Sequence, residues 1–455
     1  MIWQTLRMGN SYANKKQKNV VKPIFMSPRH AYKNTIRIFT KTTFLGLSYH
    51  IAKRIAFNKQ QSFSRFIIRL SVAATAVSII AMIITLAFVN GFQEKVAQKV
   101  FGFWGHIRVQ KYESGKSLIA EELPLIKNKE VEGIITATPG VVSYQSFATK
   151  SAVLESNNEI EGVLIKGIEH GENHQALKQY LVAGKWIDFN DSTYSKEVLV
   201  SDAVAKQLQI KLNDTIKVHF VATNTDAQKT YRKLVVVGFY HTGIEEYDKL
   251  FMITDINLIR RINNWDNNQI GGYEVFIDQH QNIDAVSGNL SNKLPSEWMS
   301  KSIKEIYPNI FDWLDIQDVN RNVVFIVMGI VALINLITCL LILMLERTNM
   351  IGLLKSMGAT NWTIQKIFIV YASFITLAGV GFGLLIGVGI CLLQQATGFI
   401  TLDEASYYIT VAPIKIIWWQ VAAVCAGTSL VCFISLFLPT LLIPKISPVK
   451  AIEFT

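Results

Sequence analysis

The sequence predicts an α-helical membrane protein with four transmembrane helices in a 1 + 3 arrangement. A large mixed α/β extracytoplasmic domain is inserted between helices 1 and 2. Long apolar segments lie near residues 66–90, 323–345, 364–393 and 414–443, and about 20 apolar residues span a hydrocarbon core about 30 Å thick. The insert has mixed polarity and about 230 residues, enough for a domain of its own. The chain is 50% hydrophobic over its 455 residues, which agrees with four such segments.

The boundaries follow from where the apolar runs begin and end. We expect a basic cytoplasmic tail at 1–45, a lead-in and first membrane helix at 46–90, an extracytoplasmic domain with stalks at 91–320, membrane helices at 321–345, 364–393 and 414–443, a cytoplasmic helix at 346–363, an external loop at 394–413 and a cytoplasmic tail at 444–455. The stalks arise because the first helix is predicted to continue past Gly91 and the stretch 311–320 to lead back into the second helix.

Within the insert, alternating apolar residues predict strands, and one longer stretch predicts a helix. The strands are expected at 106–112, 141–156, 159–169, 197–200, 215–220 and 233–240, the helix at 121–137, and a turn at Asn157-Asn158. A short helix is expected after the fourth strand, capped by Ser201 or Asp202.

The positive charge is concentrated at the N-terminus. Residues 1–65 contain 13 Lys or Arg and no acidic residue, so the rest of the chain carries 45 − 13 = 32 basic against 34 acidic residues. A basic arm can bind nucleic acid, but the bias of Lys and Arg toward cytoplasmic flanks explains it better. We therefore expect no nucleic-acid partner and place both termini in the cytoplasm. Arg347 and Lys355 in the cytoplasmic loop, and Asp403 and Glu404 in the external loop, agree with this orientation.

The sequence offers little that would support catalysis. HExxH, GxSxG and CxxC motifs are absent, and the GKS at 115–117 lacks the upstream glycine of a phosphate-binding loop because Gln110 stands there. His170 and His174 fall in a polar loop. The four cysteines all lie in predicted membrane segments, so the domain is expected to fold without a disulfide. We expect no catalytic residue, no bound cofactor and no metal site.

Small and polar residues in the membrane segments predict helix packing. Gly379, Gly383 and Gly387 share one helix face and let a neighbouring helix approach closely, within this four-helix unit more readily than across a dimer seam. Asn335 is expected to bond across a helix interface. Acidic residues and histidine are absent from the middle of the segments, so the energy source is expected to lie elsewhere.

The cytoplasmic loop contains an amphipathic stretch. Its apolar stripe consists of Met350, Ile351, Leu353, Leu354 and Met357, with Arg347 and Lys355 beside it. Such a helix either lies in a groove of another protein or rests on lipid, and the residues alone leave both open.

Several stretches resemble one family. LERTNMIGLLKSMGAT (345–360) resembles the loop between the second and third membrane helices of FtsX-like ABC transporter permeases. IAKR (51–54), NGFQEKV (90–96), FGFWGHIRV (101–109), GVLIKGIE (162–169), VVVGFYHTGIEEYD (235–248) and ISPVKAIEF (446–454) are similar to the permease subunits of lipoprotein-releasing (Lol-type) transporters. The resemblance covers about residues 45–455 and implies a MacB-like domain for the insert.

The resemblance implies a permease subunit of the bacterial inner membrane that works with a separate cytoplasmic ABC ATPase, which would bind ATP and Mg. A second permease chain, identical or paralogous, would pair with it. The implied activity is release of lipoproteins from the outer leaflet to a periplasmic carrier by mechanotransmission. The alternatives are an FtsX-like regulator of a cell-wall hydrolase and a MacB-like export permease, while a membrane-bound hydrolase is disfavoured by the missing acid–base groups.

The resemblance also assigns residues. The ATPase-coupling helix would comprise Glu346, Arg347, Met350, Ile351, Leu353, Leu354, Lys355, Met357 and Gly358. Phe88, Phe92 and Phe325 are expected near the outer mouth of an apolar cavity that takes the acyl chains of the cargo; the protein would also contact membrane lipid.

Overall fold

The computed structural model describes residues 63–112, 121–156, 159–170, 174–189, 193–221, 230–278 and 282–445. Four of the described helices are long and apolar enough to cross a membrane, and the mixed α/β insert follows the first of them. The predicted fold class is thereby confirmed. The basic tail, the IAKR stretch, the GKS motif, the turn at 157–158 and the ISPVKAIEF tail lie outside the described residues.

The described helices, in chain order, are α1 (Phe63–Trp104), α2 (Lys129–Ala137), α3 (Gln175–Lys178), α4 (Asp202–Gln207), α5 (Glu245–Leu250), α6 (Ile256–Asn263), α7 (Ile283–Lys293), α8 (Ile303–Ile306), α9 (Pro308–Glu346), α10 (Thr348–Ser356), α11 (Asn361–Thr397), α12 (Glu404–Tyr407), α13 (Trp418–Ser435) and α14 (Phe437–Thr440). The four that could span a membrane are α1, α9, α11 and α13.

The described strands are β1 (Ile107–Lys111), β2 (Leu125–Ile126), β3 (Val141–Ser156), β4 (Glu159–Ile168), β5 (Leu181–Gly184), β6 (Glu197–Ser201), β7 (Thr215–Phe220), β8 (Thr230–Tyr240), β9 (Phe251–Asp255), β10 (Gln269–Ile270), β11 (Gly272–Ile277) and β12 (Trp298–Ser302). Ten of them form one sheet in the order β12-β1-β11-β3-β4-β9-β6-β8-β5, with β7 pairing β3 and β8. We call residues 105–307 the inserted domain.

Both stalk predictions are confirmed. α1 continues past Gly91 for more than three turns, and α9 is helical through the whole of 311–320. α1 ends at Trp104 and is followed by Gly105, whose φ of 72° suits glycine and whose N–H donates to the Phe101 carbonyl at 2.8 Å. α9 starts with Pro308, which fits the first helical turn because the N–H it lacks would have no helical partner.

The predicted helix at 121–137 is wrong in its first half. Leu125 and Ile126 form β2, which pairs with β10, and α2 starts only at Lys129. The reason is Asn128, whose side chain accepts from the Glu130 N–H at 2.8 Å and so caps the helix. The structure selects Ser201 over Asp202 as the cap of α4, since its hydroxyl accepts from the Val204 N–H at 3.1 Å.

The described chain forms two compact units. One contains Ile67–Thr338 and Thr376–Ser435, which is the inserted domain with most of the membrane-helix length. Its core receives the last turns of α1, because Val96, Val100, Phe103 and Trp104 are buried among domain residues. The other unit contains the described residues up to Phe66, Cys339–Ile375 and the described residues that follow Ser435, and it carries α10.

Candidate functional site

The helix predicted to contact an ATPase is α10, which follows α9 after a single residue. Glu346 ends α9, and the Arg347 carbonyl accepts the Ile351 N–H at 3.0 Å. Ile351 is fully buried, whereas Leu353 and Met357 are 56% and 67% exposed. The apolar stripe seen in the sequence therefore divides into an inward face and an outward face.

Two further exposed apolar residues flank α10 in the chain. Leu345 precedes the helix and Trp362 follows it, and both are more than half exposed. We call Leu345, Leu353, Met357 and Trp362 the outer surface of α10. Large apolar side chains exposed in this way are typical of a surface that contacts lipid or another protein. Met350 and Leu354 are half-buried, so they contribute less to this surface than the sequence pattern indicates.

The far end of α10 is rigidly terminated. Gly358 has a φ of 89°, the Gly358 N–H donates to the Lys355 carbonyl at 3.0 Å, and the Ala359 N–H donates to the Leu354 carbonyl at 2.9 Å. These paired bonds form a Schellman motif, which favours glycine at its left-handed position. The Lys355 ammonium donates to the Ile443 carbonyl at 2.8 Å, so this lysine ties the helix to the C-terminal segment.

The glycine face of α11 lies against α1. A Cβ on Gly379 would lie 2.8 Å from the Thr75 Cβ, and a Cβ on Gly383 would lie 2.6 Å from the Ile79 Cβ. Gly387 faces Ile80 at 3.3 Å. Among described atoms, the interleaved Gly381 and Gly389 have open space where a Cβ would stand, so the close approach belongs to one helix face.

Polar contacts connect α1 to α9 and α13. The Asn335 side chain of α9 donates to both the carbonyl and the hydroxyl of Ser71 at 3.1 Å, which confirms the cross-helix bond predicted for it. Asn90 donates to the Gln420 side chain of α13 at 2.6 Å. α1 is therefore contacted by α9, α11 and α13.

An apolar cavity of about 370 Å³ opens among three membrane helices. Met82 of α1, Phe325 and Gly329 of α9, and Ala423, Gly427 and Thr428 of α13 contribute to its lining. The Thr428 hydroxyl is directed at the Met82 sulfur at 3.7 Å. The lining accepts hydrocarbon more readily than a polar ligand.

The three phenylalanines expected at one cavity mouth are separated by the structure. Phe325 lines the cavity, but Phe88 and Phe92 do not. Phe88 and Phe92 stack on each other with ring centroids 5.6 Å apart, and Phe92 is 2% exposed beside Trp313. Sequence reasoning missed Met82 and the α13 residues, because spacing along the chain does not reveal which helices are neighbours.

A polar junction joins the inserted domain to the loop after α11. His241 Nδ1 lies 2.8 Å from an Asp202 oxygen, and its Nε2 lies 3.1 Å from Glu404. The Lys99 ammonium of α1 donates to the Tyr408 carbonyl at 2.6 Å. Burial alone would lower the pKa of His241, but hydrogen bonds to Asp202 and Glu404 raise it overall.

Asp202, His241 and Asp248 are close enough to bind one metal ion, but the surroundings of Asp248 favour another role. Its carboxylate accepts the backbone N–H groups of Thr242 and Gly243 at 3.0 and 2.9 Å and the Thr242 hydroxyl at 2.8 Å. Burial nevertheless raises the pKa of Asp248. These bonds stabilise the turn at 241–248. We therefore interpret the junction as a structural connection between the inserted domain and the loop after α11.

The sequence is similar to known permeases along most of its length. It is 23% identical over 435 residues to the lipoprotein-releasing system transmembrane protein LolC of Neisseria meningitidis serogroup B, covering 92% of this chain and 100% of that protein. It is 20% identical over 411 residues to the corresponding LolE protein of Haemophilus influenzae, covering 85% and 94%.

Two solved structures of extracytoplasmic domains are similar to part of the chain. The extracellular domain of the ABC-type transporter YknZ from Gram-positive bacteria covers 43% of this chain and 98% of its own, at 16% identity and a TM-score of 0.30. The periplasmic region of MacB from Actinobacillus actinomycetemcomitans covers 45% and 91%, at 12% identity and a TM-score of 0.32.

Two family models match successive parts of the chain. Residues 70–292 match the MacB-like periplasmic core domain, and residues 322–448 match the FtsX-like permease C-terminal region. Together they include the inserted domain's sheet up to β11 and the three clustered membrane helices. Over these two ranges the chain is therefore similar to FtsX-like permeases and to proteins with a MacB-like periplasmic core domain.

Proposed function

We propose that this chain is the permease subunit of an ATP-driven machine that releases lipoproteins from the outer leaflet of the bacterial inner membrane to a periplasmic carrier. The observation that carries the proposal is the apolar cavity among α1, α9 and α13. Its apolar lining suits acyl chains, because hydrocarbon has no hydrogen bonds to lose there, whereas a polar ligand would. The full-length similarity to proteins named for lipoprotein release supports the same cargo.

The energy would come from a separate cytoplasmic ABC ATPase that binds ATP and Mg and docks on the outer surface of α10. Both termini would then be cytoplasmic, and the inserted domain periplasmic. A second permease chain, identical or paralogous, would complete the complex. The exposed side chains of Leu353 and Met357 support the docking surface, because two large apolar groups one turn apart fit a groove better than they fit water.

The helix order offers a path for movement. α10 lies between α9 and α11 in the chain, so its displacement pulls on both. In the unit that contains the inserted domain, α9 and α11 each contact α1, through Asn335 and through the glycine face. The 42 residues of α1 make an unbroken rod about 63 Å long at about 1.5 Å per residue, which ends inside the domain core.

Docking is tested by replacing one exposed apolar residue with a charge. Leu353→Glu should abolish co-purification of the ATPase, because a carboxylate would be buried in the groove. The same change at Leu123, which is 44% exposed in the inserted domain, is the matched control. Undiminished co-purification of the Leu353→Glu protein would contradict docking at this surface.

Release is tested in proteoliposomes that contain the whole complex, an acylated lipoprotein and a soluble carrier. ATP should transfer the lipoprotein to the carrier. Gly427→Trp places an indole in the cavity, since a Cβ there meets open space among described atoms, and should block transfer while ATP hydrolysis continues. Leu430→Trp, at a site 61% exposed on the same helix, should leave transfer unchanged. An intact complex that transfers nothing would refute lipoprotein release.

The same assay separates the alternatives. The FtsX-like match also fits a regulator of a cell-wall hydrolase, which would hydrolyse ATP without transferring lipoprotein and would activate the hydrolase. A MacB-like export permease, which the match of the inserted domain permits, would move a soluble substrate instead.

A further inference from the structure

The end of α1 is buried against two cations of the inserted domain. Phe103 and Trp104 are at most 1% exposed. Lys166 of β4 is 0% exposed, donates from Nζ to the Phe103 carbonyl, and lies 4.3 Å from the Trp104 ring centroid. A cation suits this position because the carbonyl end of a helix carries partial negative charge. Arg108 adds a second cation, with Cζ 4.3 Å from the same ring.

Two buried acids compensate these cations. Glu274 of β11 is 0% exposed, and its Oε1 lies 2.6 Å from Lys166 Nζ. Its second oxygen accepts from the Gln145 side chain at 2.6 Å. Glu122 accepts the Thr149 N–H and hydroxyl, each at 2.7 Å. Burial lowers the pKa of Lys166 and raises that of Glu122, which shows how strongly this site is removed from water.

Ion pairs buried this deeply contribute little to stability. Removing each ion from water costs several kcal/mol, and well-packed apolar residues in the same space often stabilise a fold as well or better. What this pair does supply is direction, because Lys166 donates to the Phe103 carbonyl while its ammonium lies 2.6 Å from Glu274 Oε1, and both contacts require one placement of the helix end. The cluster is thus better suited to fixing geometry than to raising stability.

The backbone link from α1 to the sheet is a glycine in the left-handed region. Gly105 stands between Trp104 and β1, and β1 pairs with β11 and β12. The chain thus passes from helix to sheet through one glycine turn. Lys166 comes from β4, which lies two strands from β11, so it connects the end of α1 to a different part of the sheet.

We propose that Lys166, held by Glu274, is the positioning residue of a joint that fixes the end of α1 on the sheet, so that movement of the helix becomes movement of the inserted domain. The inference rests on the proposed function, since a joint matters for activity only if α1 transmits force. Lys166 and Glu274 contact neither cargo nor ATPase in this role. Their loss should uncouple ATP hydrolysis from release without stopping hydrolysis.

The test replaces the pair with apolar side chains of similar length, Lys166→Met with Glu274→Met, in the full complex. ATP hydrolysis should persist, while lipoprotein released per ATP should fall about tenfold, as expected for loss of an intramolecular coupling. The matched control is Lys217→Met, which removes a lysine whose ion pair with Glu155, at 2.9 Å, is half exposed. A folded double variant that releases lipoprotein at the normal ratio to ATP hydrolysed would overturn the proposal that this pair forms a joint.

A second variant tests the role of the Lys166–Glu274 pair if the double variant does not fold. Gln145→Met keeps both charges but removes the hydrogen bond that orients Glu274, and it should lower release per ATP by a smaller factor. Unchanged release in this variant would also overturn the joint.

A cargo-independent measurement separates this inference from lipoprotein release. Spin labels at Val77 on α1 and Asn292 on α7, both exposed, should give one narrow distance distribution that broadens in the Lys166→Met, Glu274→Met variant. If the wild-type complex releases no lipoprotein yet the distribution broadens in the variant, the proposed function fails and the joint stands. An unaltered distribution in the folded variant refutes the joint.

Discussion

The two long helices that carry the chain into and out of the inserted domain are built differently. In the most apolar segment of α1, 50% of the residues are buried, against 28% in α9. α1 is contacted by α9, α11 and α13, whereas α9 exposes Ile326, Ile330 and Ile334 along one side. The difference indicates that α1 is the internal rod of the unit and that α9 presents an exposed apolar side.

Their ends in the domain differ in chemistry as well. α1 ends among buried charges whose bonds have defined directions. α9 begins with Ile310, Phe311 and Leu314, which pack in the same apolar cluster as the last turns of α1 but without a buried charge of their own. The Gln93 side chain joins the two helices there by donating to the Leu314 carbonyl at 3.0 Å and to the Asp318 carboxylate at 3.1 Å. Apolar contacts tolerate small sliding, whereas a directional cluster does not. The domain is thus expected to follow α1 more closely than α9.

The largest expected effect comes from removing the side chain at the end of the rod. Trp104→Ala should lower the free energy of unfolding by about 3–5 kcal/mol, since it leaves a cavity among Phe147, Phe251 and Tyr307. Thermal unfolding of the purified chain in detergent measures it. Trp419→Ala, at a site 70% exposed, should change the free energy of unfolding little. An equal decrease in both variants would contradict the claim that the end of α1 is the more tightly packed site.

A smaller effect is expected where α11 contacts the rod. Gly383→Ala places a Cβ 2.6 Å from the Ile79 Cβ and 2.9 Å from the Ala76 carbonyl oxygen, so the helices must separate at a cost of about 1–3 kcal/mol. Gly381→Ala is the matched control on the neighbouring face, where no described atom lies within 4 Å. The same unfolding assay compares them, and a control as damaging as Gly383→Ala would argue against close packing on α1.

The smallest effect concerns the His241 junction and depends on pH. Because the pKa of His241 is raised above its ordinary value of about 6.5, folding favours the charged form. The stabilisation that charged His241 gives the folded state is therefore fully present below about pH 6.5. It is lost as the pH rises through the higher pKa that His241 has in the folded state. Glu404→Gln should lower the melting temperature more at about pH 5.5 than at about pH 8.5. A difference that does not vary with pH would contradict a charged His241.

The sequence predicts the membrane architecture well and the joint poorly, for physical reasons. Apolar runs of membrane length identify α1, α9, α11 and α13. A helix that crosses the membrane needs apolar side chains whether they face lipid or the protein interior, so the pattern does not depend on how the helices pack. Lys166 gives no such signal, since a lysine in a strand is usually solvated. Its partners Glu274 and Phe103 are far along the chain, and only the sheet order brings them together.

Helix α10 shows the same limit on a smaller scale. Its amphipathic pattern predicts a helix with an apolar side, and α10 has one. The pattern does not distinguish Leu354, which is half-buried, from Leu353, which is exposed, because adjacent positions differ only in how the helix rests on its neighbours. Phe92 likewise reads as a cavity residue in sequence but packs in the core of the stalk.

The central claim, that α1 and the inserted domain move as one body, is tested most directly by distances measured in the working complex. Spin labels at Val77 and Asn292, in a chain whose four cysteines are replaced by alanine, report on the rod and the domain together. With the partner ATPase in nanodiscs, we expect the same single distance distribution with and without bound ATP analogue. A distribution that shifts or splits when the analogue binds would contradict the claim.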